Sequence, residues 1–438
     1  MTWKHAFSPG LEFAAPEKIY KRQLALLKNH VQYLSRNSRF YRKIFTDSGL
    51  DQESIAQLDD LRKFPITSKS DLEGYTQDFL CVAEEEVADL CLTSGTTGHP
   101  AALKQTRGDL DRLAFNEETA FGAAGIHKRD KVLIAAAMDR CFMAGLAYFM
   151  GLMRIGAAII RAGSSSIPVL MDLVQSHRPT AMVGVPTLML TVAQRLAEKG
   201  EDPRSLGMQR LVCIGEPVRN QDFTLSPLGK RLQEFWGAKI FGTYASTEMA
   251  TTFCECEQGK GGHFHPELIV VEILNKDGEP VKQGESGEVV TTPLQVAGMP
   301  LLRFRTGDMA VLHTDPCSCG RSTPRLSPIL GRKCQLLKIK GTTVYPQAIF
   351  SVLQEIPEVV NFYIEVTGRF ALSDHVRVVA GTRSPGLTSL MVAERIASRI
   401  RIKPEVVLTD PEAVQTRTMV QGKRKPATFF DLREELYE

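Results

Sequence analysis

The sequence predicts an α/β fold: a large N-terminal domain of βαβ-wound sheets with a barrel-like subdomain, then a small mobile α+β C-terminal domain. Three observations carry this. Between residues 131 and 244 short apolar runs alternate with longer, helix-length ones. Beyond Glu267 apolar residues recur at every second position. After Gly331 a fresh strand–helix pattern starts, long enough for a domain of about a hundred residues. A chain of 438 residues can bury a full core in the larger part and a second, smaller one in the rest.

Taken in order, the segment up to residue 90 reads as helices and loops leading into the core. The apolar run 132–138 suits a buried strand and the longer stretch 142–155 a helix; 157–160 is strand-like, 167–177 helical, 180–185 strand-like and 188–199 helical. Strand 210–214, helix 230–236 and strand 239–244 complete the series. Alternation of this kind makes βαβ units and a largely parallel sheet, with ligand sites at the carboxyl ends of its strands. Two-residue alternation at 270–274, 287–292 and 309–313, with turn signals at 276–278 and 284–287, predicts the antiparallel, barrel-like subdomain. The last part reads strand 336–340, helix 346–355, strands 359–367 and 374–381, helix 390–400 and strand 405–409. The expected domains are therefore 1–330 and 331–438.

Composition narrows the function. With 53 basic and 50 acidic residues the net charge is +3, which gives no strong attraction to nucleic acid. The most apolar region, 132–160, is interrupted by Asp139, Arg140 and Arg154, whereas a membrane span needs roughly 20 uninterrupted apolar residues. The N-terminus carries no apolar run of signal-peptide length. Nine cysteines, five of them scattered singly, read as reduced thiols of a soluble cytoplasmic protein.

The strongest local signal is Leu92-Thr93-Ser94-Gly95-Thr96-Thr97-Gly98-His99-Pro100. Four hydroxyls and two glycines cannot build a core, but they can bring backbone N–H groups and hydroxyl donors around phosphate oxygens. No Gly-Lys-Ser/Thr follows at Walker A spacing, and a flexible turn is the alternative. The segment resembles the phosphate loop of the acyl-adenylate-forming superfamily, which includes acyl-CoA synthetases, carrier-loading adenylation domains and luciferases. Four further pieces follow in that superfamily's order: Gly215-Glu216-Pro217, Tyr244-Ala245-Ser246-Thr247-Glu248, Phe304-Arg305-Thr306-Gly307-Asp308, and Gly331-Arg332 at the hinge. Phe40-Tyr41-Arg42, the segment from Pro65 to Leu72, and Val344-Tyr345-Pro346 are similar to the branch of phenylacetate-CoA ligases and coenzyme F390 synthetases.

The resemblance implies an ATP-dependent carboxylic acid–CoA ligase, acting on an aryl or medium-chain acid through an acyl-AMP. Thr93, Ser94, Gly95, Thr96, Thr97 and Gly98 would hold phosphates, Glu248 Mg2+, and Thr247 the α-phosphate. The turn Gly215, Glu216, Pro217 would pack against adenine, with Tyr244 stacked on it. Asp308 would accept from the ribose hydroxyls, with Arg332 in support. A lysine completes such a site: Lys423 follows a glycine as expected, while Lys425 has the usual spacing to Asp431-Leu432-Arg433, and both stay open. The hinge departs from the pattern, with Cys334 where an acidic residue is usual. The acyl pocket is expected where Phe142, Met143, Ala144 and Gly145 meet Val185, Pro186 and Gly242, although such a helical apolar run also suits plain core.

Soft ligands form three clusters: Cys254 and Cys256, His263 and His265, and Cys317 and Cys319. Cys256, His263, Cys317 and Cys319 make a Cys3His set suited to a closed structural zinc site within 254–321, with Cys254 or His265 as alternates and free thiols as the other reading. A different acceptor (a carrier protein or a deazaflavin) and a catalytically altered nucleotide-binding relative remain the alternatives for function. A homodimer is the default assembly.

Overall fold

The computed structural model describes residues 7–93, 101–163, 165–339, 342–368, 374–419 and 427–433. The chain forms two compact units, one of Met1–Thr306 with Ala310–Ile329, the other of Gly307–Met309 with Leu330–Glu438.

The first unit begins with the helix Pro16–Asn37, opened by a proline at its first turn and burying Ile19, Leu26, Leu27, His30, Val31 and Leu34 on one stripe. Ser38 ends it and caps the next helix, Arg39–Ser48, by accepting from the Tyr41 amide. Gly49, at φ +65°, closes that helix in the left-handed region. A hairpin absent from the sequence reading follows: Val87–Leu92 pairs antiparallel with Ala102–Thr106. Thr106 and Asp109 then form a capping box that starts a further unforeseen helix, Arg107–Ala123.

The centre of the unit is a nine-stranded sheet. Its parallel half runs Ala158–Arg161, Lys131–Ala135, Ala181–Gly184, Arg210–Cys213 and Lys239–Ser246. Helices Met143–Ile155, Ile167–His177, Pro186–Glu198 and Pro227–Trp236 alternate with these strands, as the apolar pattern requires. Lys239–Ser246 changes partner along its length. Lys239 to Gly242 pair in parallel with Arg210–Cys213, and Thr243 to Ser246 pair antiparallel with Thr251 to Cys254. Antiparallel pairing thus begins before Glu267, earlier than expected. Residues 251–256 are buried throughout, so no two-residue alternation marks the strand Thr251–Glu255 in sequence. Gly262–His263, Arg325–Leu326 and Leu312–His313 complete the sheet.

Ile269–Leu274 and Gly287–Pro293 form the expected antiparallel pair, with Phe304–Ala310 next in order. The run 309–313 is not one strand, because Val311 separates Phe304–Ala310 from Leu312–His313. Arg112, fully buried, ties this region to the helix Arg107–Ala123 by donating to the carbonyls of Leu294 and Leu268 and to the Thr251 hydroxyl.

The second unit is built on a four-stranded sheet ordered Glu405–Thr409, His375–Gly381, Asn361–Thr367, Phe429–Asp431. Helices Pro346–Gln354 and Ser389–Ile400 supply Ile349, Val352, Val392 and Ile396 to a core shared with Ile364 and Val378. The polar helix Pro411–Thr418 and the strand Phe429–Asp431 escaped the sequence reading. Arg433 pairs with the fully buried Asp374 at 3.3 Å and donates to the carbonyl of Cys334, so a guanidinium braces the hinge position where an acidic side chain was expected. Among the described residues no helix is long and apolar enough to cross a membrane.

Candidate functional site

In a parallel sheet, successive strands deliver their carboxyl ends to one edge, and the loops that leave that edge form a crevice. Four such loops carry residues singled out in the sequence. Lys131–Ala135 leads to Phe142 and the helix Met143–Ile155, Ala181–Gly184 to Val185 and Pro186, Arg210–Cys213 to Gly215-Glu216-Pro217, and Lys239–Ser246 to Thr247 and Glu248.

Thr93 is buried and closes the hairpin below the hydroxyl-rich loop. Its amide donates to the Ala101 carbonyl at 3.0 Å and its hydroxyl accepts from the Ala101 amide at 3.1 Å. Ser94, Gly95, Thr96, Thr97 and Gly98 lie outside the described residues, as do Lys423 and Lys425.

Gly215 takes φ +74°, which a side chain rarely adopts, so its turn needs glycine. Glu216 accepts from the amide and the hydroxyl of Thr187, both at 3.0 Å, and so fixes the turn to the first turn of the helix Pro186–Glu198. Tyr244 is half-buried beside Phe253, ring centroids 5.8 Å apart. Thr247 and Glu248 occupy the tight turn into Thr251–Glu255, where the Met249 amide donates to the Ser246 hydroxyl at 3.3 Å. In the second unit, Asp308 stands opposite Arg332 across an antiparallel pair, Nε to Oδ1 3.4 Å.

Two acyl-pocket candidates have packing duties. Met143 is buried with Cys91, Leu113 and Ala147. A Cβ on Gly145 would sit 2.1 Å from the Ala137 carbonyl oxygen, so this glycine lets the helix press on the preceding loop. Phe142 and Ala144 stay half-buried at the start of that helix, and the Gly242 amide donates to Glu255 at 2.9 Å.

The soft-ligand clusters resolve to one set. The donor atoms of Cys256, His263, Cys317 and Cys319 all lie within 4.8 Å of one another. Cys256 Sγ stands 3.7 Å from Cys317 Sγ, and Cys319 Sγ 3.5 Å from His263 Nε2. A tetrahedral ion with metal–sulfur bonds of about 2.3 Å and metal–nitrogen bonds of about 2.0 Å has edges of about 3.8 and 3.5 Å, so these four could hold such an ion. Burial, with Arg321 and Arg325 nearby, holds the His263 imidazole down to about 4, neutral and able to ligate. Its Nδ1 faces the Thr323 hydroxyl at 3.2 Å, an outer contact that orients the ring.

The alternates are excluded by position. Cys254 is packed in the core with Val132 and Phe241. His265 faces the Ser8 carbonyl at 3.2 Å and Glu12 at 3.4 Å. The sequence reading missed Arg219, Glu255 and Glu117, whose charges look solvated in a one-dimensional pattern.

The AMP-binding enzyme family matches residues 38–298. The phenylacetate-coenzyme A ligase of Thermus thermophilus is 31% identical over 384 residues, 86% of this chain and 85% of that protein. That of Escherichia coli is 27% identical over 440 residues, covering 97% of each. Among solved structures, a 2-hydroxyisobutyryl-CoA ligase in its postadenylation state superposes with a TM-score of 0.86 at 22% identity, covering 97% of this chain and 91% of that one. This chain belongs to the AMP-binding enzyme family, in the phenylacetate-CoA ligase branch of the acyl-adenylate-forming superfamily.

Proposed function

We propose that this AMP-forming acid–CoA ligase activates an aryl or medium-chain carboxylic acid, with Glu248 as the Mg2+ ligand and a structural zinc in the Cys3His cluster. The observation that carries the site assignment is the convergence of the Gly215–Pro217 turn and the Thr247–Glu248 turn on the carboxyl edge of two adjacent parallel strands. The relatives named phenylacetate-coenzyme A ligase favour an aryl acid.

In the first half-reaction a carboxylate oxygen attacks the α-phosphorus of ATP and pyrophosphate leaves. Two anions must meet, so the protein's task is to neutralise charge and align the nucleophile with the leaving group. Glu248 and Thr247 address the metal and the α-phosphate, the 93–98 loop the remaining phosphates, and Asp308 with Arg332 the ribose. Lys423 or Lys425 supplies the point charge that bridges carboxylate and phosphate. In the second half-reaction the CoA thiolate attacks the acyl carbonyl and AMP departs. Cys256, His263, Cys317 and Cys319 would hold zinc as a closed four-ligand site, whose contribution would be a crosslink that stabilises the fold.

The test is acid-dependent ATP–pyrophosphate exchange across a panel of aryl and aliphatic acids, followed by CoA addition and detection of the thioester by mass. Wild-type exchange without a thioester would assign another acceptor. A Glu248→Gln protein exchanging at the wild-type rate would remove the metal assignment, since loss of a transition-state charge contact should cost about a hundredfold or more.

A further inference from the structure

Beyond the residues that would touch substrate, one buried ion pair stands where the nucleotide loop and the soft-ligand knuckle meet. Arg219 follows the Gly215–Pro217 turn by two residues, and its Nε donates to Glu255 Oε2 at 2.8 Å, with side-chain exposures of 15% and 6%. The rest of the guanidinium is spent on backbone: Nη1 donates to the Phe223 carbonyl at 3.0 Å and Nη2 to that of Ile240 at 3.2 Å. Glu255 Oε2 also accepts from the Gly242 amide at 2.9 Å, at the point where Lys239–Ser246 changes from a parallel to an antiparallel partner. A side chain at 242 would lie 3.2 Å from the other carboxylate oxygen.

Two close approaches fix the pair from outside. Gly259, three residues after Cys256, holds φ +61°, and a Cβ there would lie 2.4 Å from Arg219 Nη2. A Cβ on Gly229 would lie 2.3 Å from the Val218 carbonyl oxygen, so the segment carrying Arg219 is itself wedged against the helix Pro227–Trp236. Apart from Glu255, itself held by the Gly242 amide, the groups around the guanidinium are backbone.

We infer that Arg219 and Glu255 are positioning residues for the nucleotide: they pin the Gly215–Pro217 turn to the Gly242 strand end and to the Cys256 knuckle, in the geometry that adenine requires. The inference rests on the reading of that turn as nucleotide-binding. Glu216 holds the turn from one side through Thr187, and Arg219 from the other. Loosening the Arg219 side lets the turn drift from the purine while the groups facing the acid and the phosphates stay in place, and misplacement of about 1 Å can cost up to two orders of magnitude.

The experiment measures acid-dependent ATP–pyrophosphate exchange for wild type, Arg219→Lys, Arg219→Met and Glu255→Gln, together with melting temperature and metal content. The expected result is a KM for ATP raised about fivefold or more in Arg219→Met and Glu255→Gln, partly restored in Arg219→Lys. In Arg219→Met the KM for the acid and kcat stay within about twofold. An unaltered KM for ATP, or equal changes in every parameter alongside a lowered melting temperature, overturns the inference. Should the single variants fail to fold, Arg219→Met/Glu255→Met leaves no orphaned charge. Its AMP affinity must then be weakened by the same factor, and an unweakened affinity overturns the inference. Absence of exchange in wild type sinks the nucleotide reading of the turn and this inference with it; exchange in wild type with indifferent variants sinks the inference alone.

Discussion

Glu117 is buried in the first unit, and among the described residues it makes no ion pair. Its Oε1 accepts from the Thr252 hydroxyl at 2.6 Å and the Asn116 amide at 2.9 Å, while Oε2 is buried with no hydrogen-bond partner among the described residues. Burial raises the carboxyl from an ordinary 4.5 to about 7, the two hydrogen bonds offsetting only part of the effect. The folded chain therefore keeps a proton that the unfolded chain releases, and the stability this confers is lost as pH rises from 4.5 through 7. At about 1.4 kcal/mol per pH unit the loss across that window is about 3 kcal/mol. Glu117→Gln removes the titration while leaving an oxygen for Thr252 and Asn116. Its amide nitrogen would take the place of an oxygen that has no partner, so the absolute stability can move either way; the pH dependence of the difference cannot. Urea unfolding at pH 5, 6, 7 and 8, read from Trp236 in a Trp3→Phe background, should show the variant gaining on wild type by about 2.5 kcal/mol from the acid end to the alkaline end. Parallel stability curves would refute the argument, because they would mean that Glu117 holds the same proton in both states.

His30 runs the other way. Burial holds it down to about 4 against the pull of its bond to the Leu301 carbonyl, so stability should fall by about 3 kcal/mol as pH drops from 6.5 to 4, and His30→Gln should flatten that limb in urea unfolding carried down to pH 4. Thr323→Val should weaken metal affinity by about tenfold in chelator competition, by freeing the His263 ring, and Cys317→Ser should leave purified protein without stoichiometric zinc. Gly145→Ala forces a methyl to within 2.1 Å of the Ala137 carbonyl oxygen and should cost about 1–3 kcal/mol, seen as a lowered melting temperature.

The parallel half of the sheet was legible because each strand is a short apolar run and each helix a long one. Ile167–His177 and Glu405–Thr409 fall on their expected bounds, and Met143–Ile155 and Ser389–Ile400 within a residue of them. What escaped were elements whose stabilisation is not apolar. The helix Arg107–Ala123 buries Asp109, Arg112, Asn116 and Glu117, and such residues in sequence look like a solvated face. The strand Thr251–Glu255 is buried on both sides, which erases the alternation that marks a half-exposed strand. The metal-ligand set illustrates the same limit. Six soft residues at two-residue spacing leave the choice of four open, and only where the strand ends decides it. Cys254 is still within Thr251–Glu255 and points into the core, whereas Cys256 lies just beyond that strand and is free to turn towards Cys317.

Register joins these observations. Cys254 stands opposite Thr243 on one side and His263 on the other, so the strand carrying Tyr244 and the strand carrying a soft ligand are two rungs of one ladder. A slip of one residue in Thr251–Glu255 would reverse its side chains, taking Glu255 away from the Gly242 amide and Arg219. A metal held by the four side chains gathered within 4.8 Å would forbid that slip. Loaded with metal, the soft cluster would hold the strand pair in the one register that places Tyr244, Thr247 and Glu248 where the strand Lys239–Ser246 ends. A site placed away from the reacting atoms can in this way decide where they are held.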